Sequence, residues 1–180
     1  MTRSQWLARW AAVAIWSLAL PGCAAIRVNT YAARGFDVNA YRTYTWAAGD
    51  QLATGDPRLD NNPFFLERLQ AAVDRQLAAR GFEKVASDRA DLLLHYHAQV
   101  EQQLDVRAAD PPYGYCDDCE SSVYDAGTLM LELVDRPTNR LAWRGWAEGS
   151  IQGAIDDQKL MEDRIDEAVA RILVRLPHRS

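Results

Sequence analysis

The chain is short of nearly every feature that marks a chemistry. Three cysteines in 180 residues exclude the disulfide-dense scaffold of a small secreted domain. A membrane-spanning helix needs about 20 consecutive apolar residues, and the apolar stretch from Trp10 to Leu20 is far shorter. Positive charge is scarce, 20 Lys and Arg against 25 Asp and Glu, which makes nucleic acid a poor partner. There is no glycine-rich phosphate loop, no internal repeat and no low-complexity segment. Gly149-Ser150-Ile151-Gln152-Gly153 is not a nucleophile elbow, because the serine directly follows the first glycine. Asp156, Asp157, Glu162 and Asp163 read as helix-start and solvated-face charges rather than a catalytic pair. No catalytic motif remains, so an enzyme is not the expectation.

What is present begins at the N-terminus. Arg3 and Arg9 precede the apolar stretch, and Leu20-Pro21-Gly22-Cys23-Ala24 follows it. This resembles the bacterial lipoprotein signal, in which the cysteine is lipidated and becomes the first residue of the mature protein. Pro21 departs from the pattern, which prefers a small or β-branched residue there, while Leu20, Gly22 and Cys23 match it. The resemblance implies a signal peptide over 1–22, three acyl chains such as palmitate on Cys23, and a single domain over 23–180. Ala24 is not the aspartate that signals inner-membrane retention in enteric-type bacteria, so the periplasmic face of the outer membrane is the expected location. Loss of the two leader arginines moves the formal charge from -5 to -7.

In the mature part, 25–30 and 41–46 read as strands, the latter rich in β-branched and aromatic residues. Asn62-Pro63 supplies a cap and a first-turn proline for a helix whose Phe65, Leu69, Val73 and Leu77 recur at helical spacing until Gly81. A strand is predicted over 91–104 and a long surface loop over 105–124. A hairpin follows: 127–135 places Leu129, Leu131 and Leu133 on one face and Met130, Glu132 and Val134 on the other, 136–139 turns, and 141–151 returns. A last helix starts near Asp156 and carries Met161, Ile165, Val169, Ile172 and Leu176 on one stripe before Pro177. The order ββαβββα with hairpin-length links predicts a two-layer α+β fold, a mostly antiparallel sheet with two helices packed on one face.

These residues carry a resemblance. Phe36-Asp37 with Tyr41 to Trp46, then Leu77-Ala78-Ala79-Arg80-Gly81-Phe82, Ala90-Asp91-Leu92-Leu93-Leu94-His95-Tyr96, Gly127-Thr128-Leu129, and Asp135 to Asn139 leading to Trp143-Arg144-Gly145 resemble the domain of unknown function 4136 family. Its members are mostly bacterial envelope lipoproteins. The Gly-Thr-Leu and Trp-Arg-Gly blocks are the most specific. The resemblance implies fold and location and supplies no catalytic residue; the loop with Cys116 and Cys119 is not part of the family pattern.

One constellation bears on chemistry: Cys116-Asp117-Asp118-Cys119 with His95 and His97. An exported pair of cysteines oxidises, so a local Cys116–Cys119 disulfide is the first reading. A redox-active pair is disfavoured, because Asp117, Asp118 and Glu120 raise thiol pKa values. The alternative is zinc or copper. His95 and His97, two apart on a strand, share a face, and with Cys116 and Cys119 they make a tetrahedral set. Tyr113, Tyr115 and Trp146, with Trp143, are the aromatic candidates for an interface. Two function classes follow: a non-catalytic, membrane-anchored lipoprotein without a cofactor that binds an envelope protein or cell-wall partner, or a metal-binding protein.

Overall fold

The computed structural model describes residues 26–47, 56–60, 62–104 and 123–178. Its strands are β1 (Arg27–Ala32), β2 (Thr43–Trp46), β3 (Glu83–Lys84), β4 (Leu92–Leu104), β5 (Val123–Asp135) and β6 (Arg140–Ser150), and its helices are α1 (Pro63–Ala78) and α2 (Gln158–Leu173). The strands form one sheet in the order β1-β6-β5-β4-β2-β3. All neighbours are antiparallel except β2, which runs parallel to both β3 and β4. The α+β fold class expected from the sequence is the observed one.

Each helix starts where its chemistry places it. Asn62 caps α1 by accepting from the Phe65 amide, with Pro63 at the first turn, and Asp157 caps α2 by accepting from the Leu160 amide. Beyond α1, Gly81 takes φ 80°, which a glycine adopts without steric cost and which lets the chain reverse into β3. The helices lie side by side. Arg68 of α1 pairs with Glu162 and, at 3.3 Å, with Asp166 of α2, and Arg75 reaches the same Asp166 at 3.1 Å.

Beneath the helices the core is continuous, with Leu69, Val73 and Leu77 of α1, Val169, Ile172 and Leu173 of α2, and Tyr44, Leu92, Leu94, Leu131, Leu133 and Trp143 of the sheet almost fully buried. One polar anchor crosses it. The Tyr44 hydroxyl and the Trp46 indole nitrogen both donate to Asp74 Oδ1, at 2.8 and 2.9 Å, while Lys84 holds Oδ2 at 2.8 Å. Burial and the adjacent Asp74 carboxylate push the Tyr44 phenol well above its ordinary range.

Four expectations change. The short strand β3 was not foreseen, so the order is ββαββββα; two exposed residues carry no alternation, and only pairing with Thr43 and Tyr44 makes them a strand. β5 begins at Val123, inside the expected loop, because β4 continues to Leu104 and offers Val123 and Tyr124 a ladder partner. β1 lies over 27–32 rather than 25–30, its register set by β6 from Arg27↔Glu148 to Ala32↔Trp143. The second helix, expected from Asp156 to Leu176, ends at Leu173 with a further turn to Leu176.

The two blocks most specific to the family resemblance have a packing reason. Gly145 and Gly127 both fall on the helix-covered side of the sheet. A Cβ on Gly145 would collide with the Trp143 indole and with Ile172 Cγ2 at 2.7 Å, and one on Gly127 would lie 2.8 Å from Ile151 Cγ2. Each glycine is the floor on which a neighbouring large side chain lies.

Candidate functional site

Strand alternation gives the sheet two faces, and among the described residues helices cover one of them. On β4 the odd positions Leu93, His95 and His97 point away from the helices; opposite them on β5 stand Val134, Glu132 and Met130, and beyond these on β6 Arg144 and Trp146. His95 and His97 thus share a face, as their spacing predicts. Centred on it is Glu132, whose side chain is 13% exposed. Arg144 donates from Nε to Glu132 Oε1 at 2.5 Å, and His97 Nε2 approaches Oε2 at 3.3 Å. Burial lowers the His95 pKa below the ordinary imidazole range; the Glu132 charge opposes this shift and His97 adds to it.

The arrangement is an ion-pair cluster on a sheet surface. Glu132 is already neutralised by a guanidinium, which leaves less charge for a cation. Among the described residues no group of three or more His, Cys, Asp or Glu is placed to hold a metal ion. Cys23, Tyr113, Tyr115, Cys116 and Cys119 lie outside the described residues. The two candidate tryptophans separate cleanly: Trp143 is 1% exposed and belongs to the core, whereas Trp146 is half-buried on the open face, in register with Met130 and Asn29. Tyr31, on the same face across from Arg144, is 53% exposed. Glu132, Arg144, Met130 and Tyr31 were not singled out as site residues; alternation placed Glu132 on this face, but its partner follows only from the β5–β6 register.

Among the described residues, two concavities lie at the ends of the sheet. An apolar cleft of about 80 Å³ opens between the far ends of β4, β5 and β6 and the first half of α2, floored by Ala98, Val100, Gly127, Leu129, Ala147 and Gly149 and walled by Ile26, Phe65, Met161 and Ile165. At the opposite end a wide polar hollow of about 690 Å³ is lined by Tyr31, Arg34, Phe36, Tyr41, Asp135 and Arg140. Its chemistry is occupied by structure. Asp135 accepts from the Thr138 amide at 2.8 Å and hydroxyl at 2.5 Å, which closes the β5–β6 turn, and from the Tyr41 hydroxyl at 3.1 Å. These bonds, the Thr138 hydroxyl first, hold the Asp135 carboxyl below its usual range. Ser150 ends β6 and accepts from the Gln152 amide at 3.3 Å. No helix among the described residues is long and apolar enough to cross a membrane.

The family described as "Domain of unknown function (DUF4136)" matches residues 28–178. The chain belongs to that family. Among solved structures it is similar to a DUF4136 family protein from Bacteroides thetaiotaomicron VPI-5482, at 15% identity and TM-score 0.52, covering 81% of this chain and 95% of that one. It is also similar to a PDZ domain protein from Parabacteroides distasonis ATCC 8503, at 12% identity and TM-score 0.55, covering 86% of this chain but only 37% of that longer chain. At these identities the likeness is one of fold. Among curated proteins none matches this chain.

Proposed function

We propose that this DUF4136 protein is a non-catalytic lipoprotein, held by lipid on Cys23 at the periplasmic face of the outer membrane, whose domain binds an envelope partner. The anchoring reading is supported by the leader that ends at Cys23. The observation that carries partner binding is the sheet face that no described helix covers. There Trp146, Met130 and Tyr31 put large contact surfaces beside the charged centre Glu132–Arg144, a mixture of aromatic, thioether and guanidinium groups enriched in protein interfaces.

The test is in two parts. Growth on an alkyne-tagged palmitate should label the wild-type chain and not Cys23→Ser, and only the wild type should fractionate with the outer membrane. A photo-crosslinking residue at position 146 should capture a discrete envelope protein, and the same residue at exposed Val174 on the opposite side should not; equal capture from both positions defeats the reading. A second reading, zinc or copper held by His95, His97, Cys116 and Cys119, is favoured by both imidazoles leaving one face. Native mass spectrometry of the intact chain decides it. Stoichiometric metal lost in His95→Ala establishes the metal protein, and metal-free chain with Cys116 and Cys119 oxidised leaves the partner reading.

A further inference from the structure

The apolar cleft is too small for an ordinary ligand. Small-molecule pockets run to about 300 Å³ and more, and at about 80 Å³ this one has room for a short stretch of flexible chain whose remainder leaves through an open mouth. Its floor of alanine and glycine produces the gap, since larger residues at Ala98 or Ala147 would let the sheet meet α2 directly.

The position of Ile26 points to an occupant. Ile26 lines the cleft and lies over Gly149, with its Cγ1 3.1 Å from where a Cβ would stand. Its carbonyl accepts from Arg171 of α2 at 3.4 Å, which fixes the entering chain at this edge. Cys23 is three residues upstream, and three extended residues span at most about 10 Å. Any acyl chain on Cys23 is therefore attached within reach of the mouth. A second feature fits the linkage: Arg164 lines the cleft, and its Nε is buried with no hydrogen-bond partner. An ester or amide carbonyl, which accepts and has no need to donate, would satisfy it.

We propose that the cleft takes a segment of an acyl chain carried on Cys23, so that this end of the sheet faces the membrane. This rests on the reading of Cys23 as a lipidation site. The exchange of bilayer for cleft keeps the methylenes out of water and adds a bond for Arg164.

The experiment feeds the producing cells a diazirine-bearing fatty acid, illuminates isolated membranes and maps crosslinks in the full chain by mass spectrometry, with the mass on Cys23 read from the same digest. The expected result is lipid mass on Cys23 together with a crosslink from that lipid to the peptide holding Met161 and Ile165. The crosslink should be lost when Ala168→Phe or Ala98→Leu fills the cleft, with the lipid mass unchanged. Lipid on Cys23 with crosslinks only to bilayer lipids overturns this proposal and leaves the anchoring reading intact; a crosslink that persists in both filled variants does the same. Absence of lipid on Cys23 overturns both. If neither filled variant accumulates, hydrogen exchange in the first turns of α2 decides, slower in wild type than in Cys23→Ser if the chain is seated and equal if it is not.

Discussion

The two faces of one sheet are made by alternate residues of the same strands, and they have opposite characters. Leu131 and Leu133 on β5 are buried to 0% and 1% exposure under the helices, while Met130, Glu132 and Val134, which alternate with them, stay partly open. On β6 the near neighbours Trp143 and Trp146 make the same division. The covered face holds the fold, because apolar area removed from water is its main stabilising contribution. The side chains of the open face stay partly exposed and contribute less to that term. Substitutions chosen in pairs, one from each face, break or sharpen that contrast.

The largest effect should come from Trp143→Ala, which empties the volume beneath α2 and costs about 3–5 kcal/mol, read as a lower urea midpoint. Gly145→Ala attacks the same contact from the other side, forcing a methyl group into the space of the Trp143 indole and Ile172. Overpacking of this kind costs about 1–3 kcal/mol, and the double variant Trp143→Phe/Gly145→Ala should recover part of it. If Gly145→Ala alone is neutral, the indole does not lie where the structure places it. Asp74→Ala removes the shared acceptor of Tyr44 and Trp46; a buried donor left unsatisfied costs about 1–3 kcal/mol, and Tyr44→Phe in the same chain should lessen the penalty.

Much of the covered face was legible in the sequence. Helix starts at Asn62-Pro63 and Asp157, the alternation of Leu129, Leu131 and Leu133, and the antiparallel hairpin depend on local chemistry and period, and these survive without knowledge of partners. What was illegible depends on pairing. β3 exists only because Glu83 and Lys84 meet Thr43 and Tyr44, and the first residues of β5 only because β4 runs on to Leu104. The open face followed the same rule: two histidines on one side were predictable from a spacing of two, but the Arg144–Glu132 pair between them and Trp146 requires the register of two further strands. The cleft was hidden for the same reason, since its small residues Ala98, Gly127 and Ala147 sit on three different strands.

A pH titration probes the open face. Burial holds His95 below the ordinary imidazole value, which is about 6.5 in an unfolded chain. The unfolded state therefore takes a proton first as pH falls, and stability contributed by the neutral imidazole is fully present above about 6.5 and is lost toward the lower folded value. His95→Gln should flatten the stability curve between about pH 7 and 5, whereas the depressed carboxyls Asp135 and Asp56 act at more acidic pH. An unchanged slope in His95→Gln would assign the loss to another group.

The smallest effect on stability and the largest on binding should belong to one residue, Trp146. It is half-buried on the face that no described helix covers, so Trp146→Ala should cost less than about 1 kcal/mol, as surface substitutions do. In the partner-binding reading the same change should abolish crosslinking from neighbouring Met130, because large aromatic residues dominate interface energies. Trp143→Leu, matched in stability by adding mild denaturant to the Trp146→Ala chain, serves as its counterpart: it weakens the covered face and should leave capture intact. Retained capture in Trp146→Ala would move the binding surface off this face, and a large loss of stability would show that the open face also holds the fold together.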